Sequence, residues 1–131
     1  SGLIDKIGQK MNFILKALFP KIPQNHKSMS YIIMNIILNM LGAGNGATSF
    51  GLKAMEELQK DNPDKNTATN EMCSFLILNI SSLQLIPINI IAYRSQYGSV
   101  NPSKILIPGL IATLGSTIVA VIYIKWKDRK R

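Results

Sequence analysis

The stretch that decides the fold is YIIMNIILNMLGAGNGATSFG, residues 31–51, an apolar segment that carries asparagines and is interrupted by glycines. Asn35 and Asn39 are four residues apart, so in a helix both amides project from the same face. Gly42 and Gly44 follow and let the backbone leave helical geometry at little steric cost. Two interpretations are open at this point: a broken helix that lines a cavity inside a membrane, or a soluble helix that ends at a glycine cap.

The distribution of charge along the chain favours the membrane. The 131 residues carry a formal net charge of +8 although 47% of them are hydrophobic, and the basic residues collect at the two ends. In the second half of the chain, two long apolar runs contain no charged side chain, 21 residues over 72–92 and 20 residues over 105–124. At about 1.5 Å per residue, each run is long enough to cross a hydrocarbon core roughly 30 Å thick. We therefore predict an integral membrane protein and no binding to nucleic acid.

The hydrophobic pattern predicts an all-α integral membrane fold made of a single domain over residues 1–131. Residues 2–19 are typical of an amphipathic helix that lies on the membrane surface or against neighbouring helices. Residues 30–60 would form a re-entrant, broken-helix hairpin, because its first half-helix, 30–41, is too short to cross. Two transmembrane helices would follow, over 70–93 and 103–126.

Counts of Lys and Arg orient this arrangement. The first 28 residues carry five basic side chains and residues 125–131 carry five, whereas the connector 92–104 carries two. Because cytoplasmic segments are enriched in Lys and Arg, we expect both ends of the chain and the 61–69 loop in the cytoplasm. The connector then lies on the opposite side. This topology requires residues 30–60 to enter and leave the membrane on the same side, as a re-entrant hairpin does.

Polar residues within the apolar segments form a candidate site for an uncharged ligand. The residues assigned to it are Asn35, Asn39, Gly42, Gly44, Asn45, Thr48, Asn79 and Ser82. Amides and hydroxyls suit a nucleobase, a ribose or a small amide, and carbonyls of an unwound turn could equally hold a cation. Interhelical hydrogen bonding is the alternative role for these side chains. Thr48 or Ser49 is also expected to cap the second helix of the hairpin.

A stripe of small residues on the last predicted helix favours close helix packing. Its members are Gly109, Thr113, Ser116 and Ala120. Small side chains let two helix backbones approach each other in lipid. We therefore assign this stripe to helix contact and not to a ligand.

The chain offers little catalytic chemistry. It has one cysteine, Cys73, expected to be a buried thiol, and one histidine, His26, expected in a solvated loop without a partner. No Asp, Glu, Lys or Arg lies within the two long apolar runs, which excludes a carboxylate proton relay there. We expect no catalytic residues, no bound metal and no cofactor.

At NMLGAGNGATSFGLKAMEELQ, residues 39–59, the sequence resembles the spore maturation protein A family of endospore-forming bacteria. The resemblance continues through NPDKNTATNEMCSF (62–75), NISSLQLIP (79–87) and YGSVNPS (97–103), and it extends over essentially the whole chain. The family belongs to the membrane proteins with a nucleoside recognition, or Gate, domain. The resemblance implies a membrane protein that acts with a partner, spore maturation protein B, in dehydrating the spore core. It also implies further apolar segments upstream, so that residues 1–131 would be the C-terminal part of a longer chain.

The family's motif positions fall on Asn35, Asn39, Gly42, Gly44, Asn45, Thr48, Asn79, Ser81, Ser82 and Pro87. The sequence departs from the family pattern at Ser49, Gly46, Ile37 and Ile80, and the two isoleucines replace small polar residues, which weakens any ligand preference carried over from the family. The resulting hypothesis is a membrane protein that gates or permits passage of a small polar solute together with a partner subunit. The alternative is a non-transporting structural subunit whose polar helix faces hold a membrane partner.

Overall fold

The computed structural model describes residues 11–129, and every regular element among them is helical. The elements are α1 (described over 11–18), α2 (Lys27–Met40), α3 (Gly44–Lys60), α4 (Asn70–Ile80), α5 (Ile88–Gln96), a short 3-10 helix (Pro102–Ile105) and α6 (Leu106–Arg129). The predicted all-α class is confirmed for this part of the chain.

α2 and α3 pack against each other as an antiparallel hairpin. His26 caps the start of α2: its Nδ1 accepts a hydrogen bond from the Ser28 N–H, and its Nε2 lies 2.7 Å from the Asp61 carboxylate. The expectation of a solvated, unpartnered His26 is therefore wrong. At the other end, Gly42 adopts a φ of +72° and reverses the chain, and α3 starts at Gly44.

The prediction of one continuous helix over 70–93 is wrong. α4 ends at Ile80, and residues 81–87 are not helical. The Ser81 hydroxyl donates to the Ile77 carbonyl at 2.7 Å, and short polar side chains that bond to nearby carbonyls weaken the continuation of a helix. Pro87 supplies no backbone donor, and α5 begins only after it. With 11 and 9 residues, α4 and α5 measure about 16 and 14 Å, so neither crosses a bilayer alone.

α6 is the one helix within residues 11–129 that is long and apolar enough to cross a membrane, and the candidate span covers Pro102–Arg129. Only 6% of its most apolar stretch is buried, whereas the core helix of a soluble protein is mostly buried. Its large exposed apolar side chains are Ile107, Leu110, Ile111, Leu114, Ile118, Val119 and Ile122. An apolar surface of this extent is typical of a membrane-contacting helix. Of the two predicted transmembrane helices, only this one is matched by a long continuous helix.

The hydrophobic core lies at the end of the bundle opposite the α2–α3 turn. Leu15 and Leu18 of α1 pack there with Ile32 of α2, Phe75 of α4 and Ile124 of α6. All five side chains are at most 4% exposed. α1 therefore lies against neighbouring helices, which is one of the two positions predicted for it; the part of that helix before residue 11 lies outside the described residues.

Candidate functional site

The turn between α2 and α3 contacts the α4–α5 break, which we define as residues 81–87. The Met40 carbonyl at the end of α2 accepts hydrogen bonds from the N–H groups of Leu85, at 2.9 Å, and Ile86, at 3.3 Å. The backbone of the two segments is so close that a Cβ atom on Gly42 would lie 2.4 Å from the Ile86 oxygen. Two helix interruptions that are far apart in sequence thus form one junction.

Three asparagines connect α2, α3 and α4 beside this junction, and we call them the asparagine ladder. Asn35 is fully buried, and its Nδ2 donates to the Ala47 carbonyl of α3 at 2.7 Å. Asn39 Nδ2 donates to the side-chain oxygen of Asn35 at 3.3 Å and to that of Asn79 at 2.7 Å. The structure therefore brings together three of the site residues predicted from the sequence.

The asparagine ladder keeps unused hydrogen-bonding capacity. The side-chain oxygen of Asn39 and the Nδ2 of Asn79 make no hydrogen bond within residues 11–129, and both residues are partly exposed. One group accepts and the other donates. Such a pair is complementary to a primary amide or to the edge of a nucleobase, and no charged side chain contributes to it.

Gly51 makes room for the asparagine ladder, and the sequence analysis did not single it out. It is buried on α3, where a Cβ atom would lie 3.0 Å from Asn35 Nδ2 and 3.9 Å from the ring of Phe75. The available signal was the spacing of Ala47, Gly51, Ala54 and Leu58, which repeats at three and four residues and forms the buried face of α3.

Asn45 and Thr48 do not join the asparagine ladder. Both lie on exposed positions of α3, and the Thr48 hydroxyl donates to the Gly44 carbonyl one turn earlier. Because α3 already begins at Gly44, the prediction that Thr48 or Ser49 caps this helix is wrong. Their contact with a ligand stays a prediction from the sequence.

At the α4–α5 break, side-chain hydroxyls form hydrogen bonds with backbone groups that the interrupted helix leaves without partners. Thr117 of α6 donates its hydroxyl to the Ser81 carbonyl, and the Gln84 N–H donates to the hydroxyl of Thr113 at 3.3 Å. The Ser82 hydroxyl donates to the Asn79 carbonyl. Unsatisfied backbone groups cost several kcal/mol in hydrocarbon, so these bonds make the break compatible with a position inside a membrane.

The small-residue stripe predicted on α6 differs in part from the observed contact face. Thr113 reaches the α4–α5 break and Ala120 is buried, whereas Ser116 is exposed and a Cβ atom on Gly109 would meet no atom within 4 Å. Thr117, which was not among the predicted residues of the stripe, makes this helix contact instead of Ser116. The contact face therefore includes positions 113, 117, 120 and 124, which also follow helical spacing.

We expect Thr117→Val to lower the free energy of unfolding by about 1 kcal/mol. Valine keeps the shape of threonine but cannot donate to the Ser81 carbonyl, which then stays without this partner. Ser116→Ala removes an exposed hydroxyl on the same helix and should change the stability little. Thermal unfolding of the purified protein in detergent measures both, and an equal loss in the two variants would contradict the assigned role of Thr117.

The sequence of the chain is similar to that of a bacterial protein. Over 134 aligned residues the chain is 40% identical to spore maturation protein A of Bacillus subtilis (strain 168). The match covers the whole chain and 68% of that relative. No model of a protein family matches the sequence, and no solved structure matches it.

Proposed function

The chain belongs to the spore maturation protein A family, and on that premise we propose that it gates or permits passage of a small polar solute across a sporulation membrane and so helps to lower the water content of the spore core. Its relative is a spore maturation protein and α6 is long enough to span a bilayer, which together support a membrane protein with a sporulation role. The observation that carries the passage itself is the junction of the two helix interruptions.

The proposed membrane arrangement follows from element lengths. α2 and α3 measure about 21 and 26 Å, less than a hydrocarbon core of roughly 30 Å, so the hairpin enters and leaves on one side. α6 contacts α4, and the 3-10 helix before α6 contacts α5. Residues 70–96 therefore lie alongside α6 and cross the membrane as one interrupted helix. Both ends of the chain then lie in the cytoplasm. Membrane proteins use interrupted helices of this kind to present polar groups at mid-depth.

The solute is uncharged and polar in this proposal, because the asparagine ladder offers an acceptor and a donor and no charge. A partner membrane subunit, spore maturation protein B or a similar protein, completes the passage. Exposed apolar side chains on α5 and α6 give such a subunit or lipid an extended surface to contact. The protein acts without catalysis and without a cofactor. Its description as a single Gate-type domain stays a prediction from the resemblance.

Asn39→Leu is expected to abolish the function, whereas Asn66→Leu should leave it nearly unchanged. Leucine removes both hydrogen bonds of Asn39 and leaves the Asn79 oxygen without its donor. Asn66 is the matched control because it is exposed in the loop between α3 and α4 and is not one of the predicted site residues. Each variant is introduced into the full-length protein in spores that lack their own copy, and wet density and core water are measured. We expect Asn39→Leu spores to be as light as spores without the protein.

Membrane levels of the protein and co-purification with its partner separate the two candidate functions. Light Asn39→Leu spores with the complex intact support a polar passage at the junction. Light spores with the complex lost support the second candidate, a non-transporting structural subunit; the internal bonding of the asparagine ladder is the observation that favours it. Normal spore density at normal protein levels would contradict both roles for Asn39.

A further inference from the structure

A small polar pocket of about 220 Å³, which we call the basal pocket, lies between α1, α4 and α6 at the end of the bundle away from the junction. Ser74 lines it and is only 5% exposed. Its hydroxyl makes no hydrogen bond with any residue of the described part of the chain. Since no fully enclosed side-chain oxygen or nitrogen within residues 11–129 lacks a hydrogen-bond partner, this hydroxyl opens into the pocket and can donate to a ligand there.

The charges around the basal pocket have both signs. Lys21, just after α1, contributes an ammonium group, and Glu71 of α4 and Asp128 of α6 contribute carboxylates. A ligand complementary to this lining carries a negative and a positive group within a few ångströms of each other. A simple anion would pair only with Lys21, and a simple cation would pair only with Glu71 and Asp128.

Aromatic side chains place the basal pocket at the surface of the membrane. Tyr123 and Trp126 lie on α6 five and two residues before Asp128, with ring centroids 6.2 Å apart, and about half of each residue is exposed. Exposed Tyr and Trp prefer the membrane–water interface. Lys125 and Lys127 lie in the same turn of α6, as expected at the level of phosphate groups.

An apolar groove continues from the basal pocket toward the junction. It has a volume of roughly 400 Å³ and lies between α1, α2, α4 and α6. Leu18 lines both the groove and the pocket, and Leu78 of the groove is one helical turn from Ser74 on α4. A methylene group takes up roughly 30 Å³, about the volume of a water molecule in the liquid, so the groove holds about 13 methylene groups. This is the size of one acyl chain and much less than a helix.

We propose that the basal pocket and the apolar groove bind one phospholipid whose headgroup carries both a phosphate and an amine. Lys21 pairs with the phosphate, and the Ser74 hydroxyl donates to a phosphate oxygen. Glu71 and Asp128 accept hydrogen bonds from the amine, and one acyl chain lies in the groove. The groove reaches the junction, where Met40 and Leu85 line it, but the binding of a lipid does not require the proposed passage of a solute.

Native mass spectrometry of the purified full chain tests the headgroup part. The protein is released from nanodiscs that contain equal amounts of phosphatidylethanolamine and phosphatidylglycerol. We expect one retained phosphatidylethanolamine per protein, at least about fivefold more often than phosphatidylglycerol, and about tenfold less retention in Lys21→Glu. Lys125→Glu is the matched control, because it makes the same change of charge on α6 outside the pocket, and it should stay within about twofold of the unchanged protein.

A second pair of variants tests the acyl chain. Val121→Trp fills the groove and should lower retention of the lipid about as much as Lys21→Glu, whereas Ile118→Trp adds the same side chain on the outer surface of α6 and should not. Circular dichroism checks that each variant folds. Equal retention of both lipids, or equal losses in Lys21→Glu and Lys125→Glu, would show general surface attraction and overturn the proposal. Full retention in folded Val121→Trp would also overturn it.

Discussion

Gly42→Ala is expected to lower the free energy of unfolding by about 3 kcal/mol or more, the largest effect of any single substitution considered for this protein. The φ of +72° at this position costs an alanine about 1–2 kcal/mol by itself. In addition, the new Cβ atom would lie 2.4 Å from the Ile86 oxygen and 3.0 Å from the Ile88 nitrogen. Both are backbone atoms next to the hydrogen bonds that Met40 accepts, so they cannot move aside without breaking the junction.

Gly98→Ala is the matched control for Gly42→Ala. Gly98 has a similar φ of +75°, but a Cβ atom there would meet nothing within 4 Å. This variant should therefore lose only the conformational cost of about 1–2 kcal/mol. Thermal unfolding of both variants in the same detergent measures the difference. Equal losses would mean that the close approach of the α2–α3 turn to the α4–α5 break is not maintained in the folded protein.

Gly51→Leu is expected to lower the free energy of unfolding by about 3 kcal/mol and to disconnect the asparagine ladder. A Cβ atom at this position lies 3.0 Å from Asn35 Nδ2, and the remaining leucine atoms extend beyond it toward Phe75. Asn35 is fully buried and is held by its hydrogen bond to the Ala47 carbonyl, so its displacement leaves a buried amide and a carbonyl unsatisfied. Overpacking and the lost hydrogen bond each contribute about 1–3 kcal/mol.

Gly44→Leu, in the first turn of the same helix, controls for the added side chain. Its Cβ atom would meet nothing within 4 Å, so we expect a change in stability of less than about 0.5 kcal/mol. Thermal unfolding compares the two variants, and spore wet density gives an independent measurement. Light spores are expected from Gly51→Leu. Wild-type stability of Gly51→Leu would contradict the position assigned to Asn35.

The use of asparagines at the centre of this protein has a physical reason. A charged side chain at mid-depth is expensive to place in a membrane, whereas an amide both donates and accepts and can be satisfied by another amide. Asn35, Asn39 and Asn79 satisfy much of one another's hydrogen-bonding capacity and leave one donor and one acceptor unused within residues 11–129. The same arrangement suits the polar passage and the structural role, which is why the Asn39→Leu experiment needs both readouts.

The local features of the chain were predictable because each depends on neighbours in sequence. Apolar periodicity and length predicted the helical class and the long helix now described as α6. The spacing of Asn35 and Asn39 predicted a shared polar face on α2, and the glycines after them predicted the turn. Residue type alone marked Asn79 as a member of the same polar set.

The sequence by itself determined which segments are apolar, where the first helix interruption falls and which residues offer neutral polar groups. Only the tertiary structure decided that the helix over residues 70–93 is interrupted and that Asn79, not Asn45, bonds to Asn39. It also decided that Gly51 leaves room for the Asn35 side chain. The physical reason is that an interrupted helix leaves backbone N–H and C=O groups without their helical hydrogen bonds. The interruption is stable only where other residues form hydrogen bonds with those groups. Those partners, such as Thr117 for the Ser81 carbonyl, come from distant segments that meet only when the helices pack.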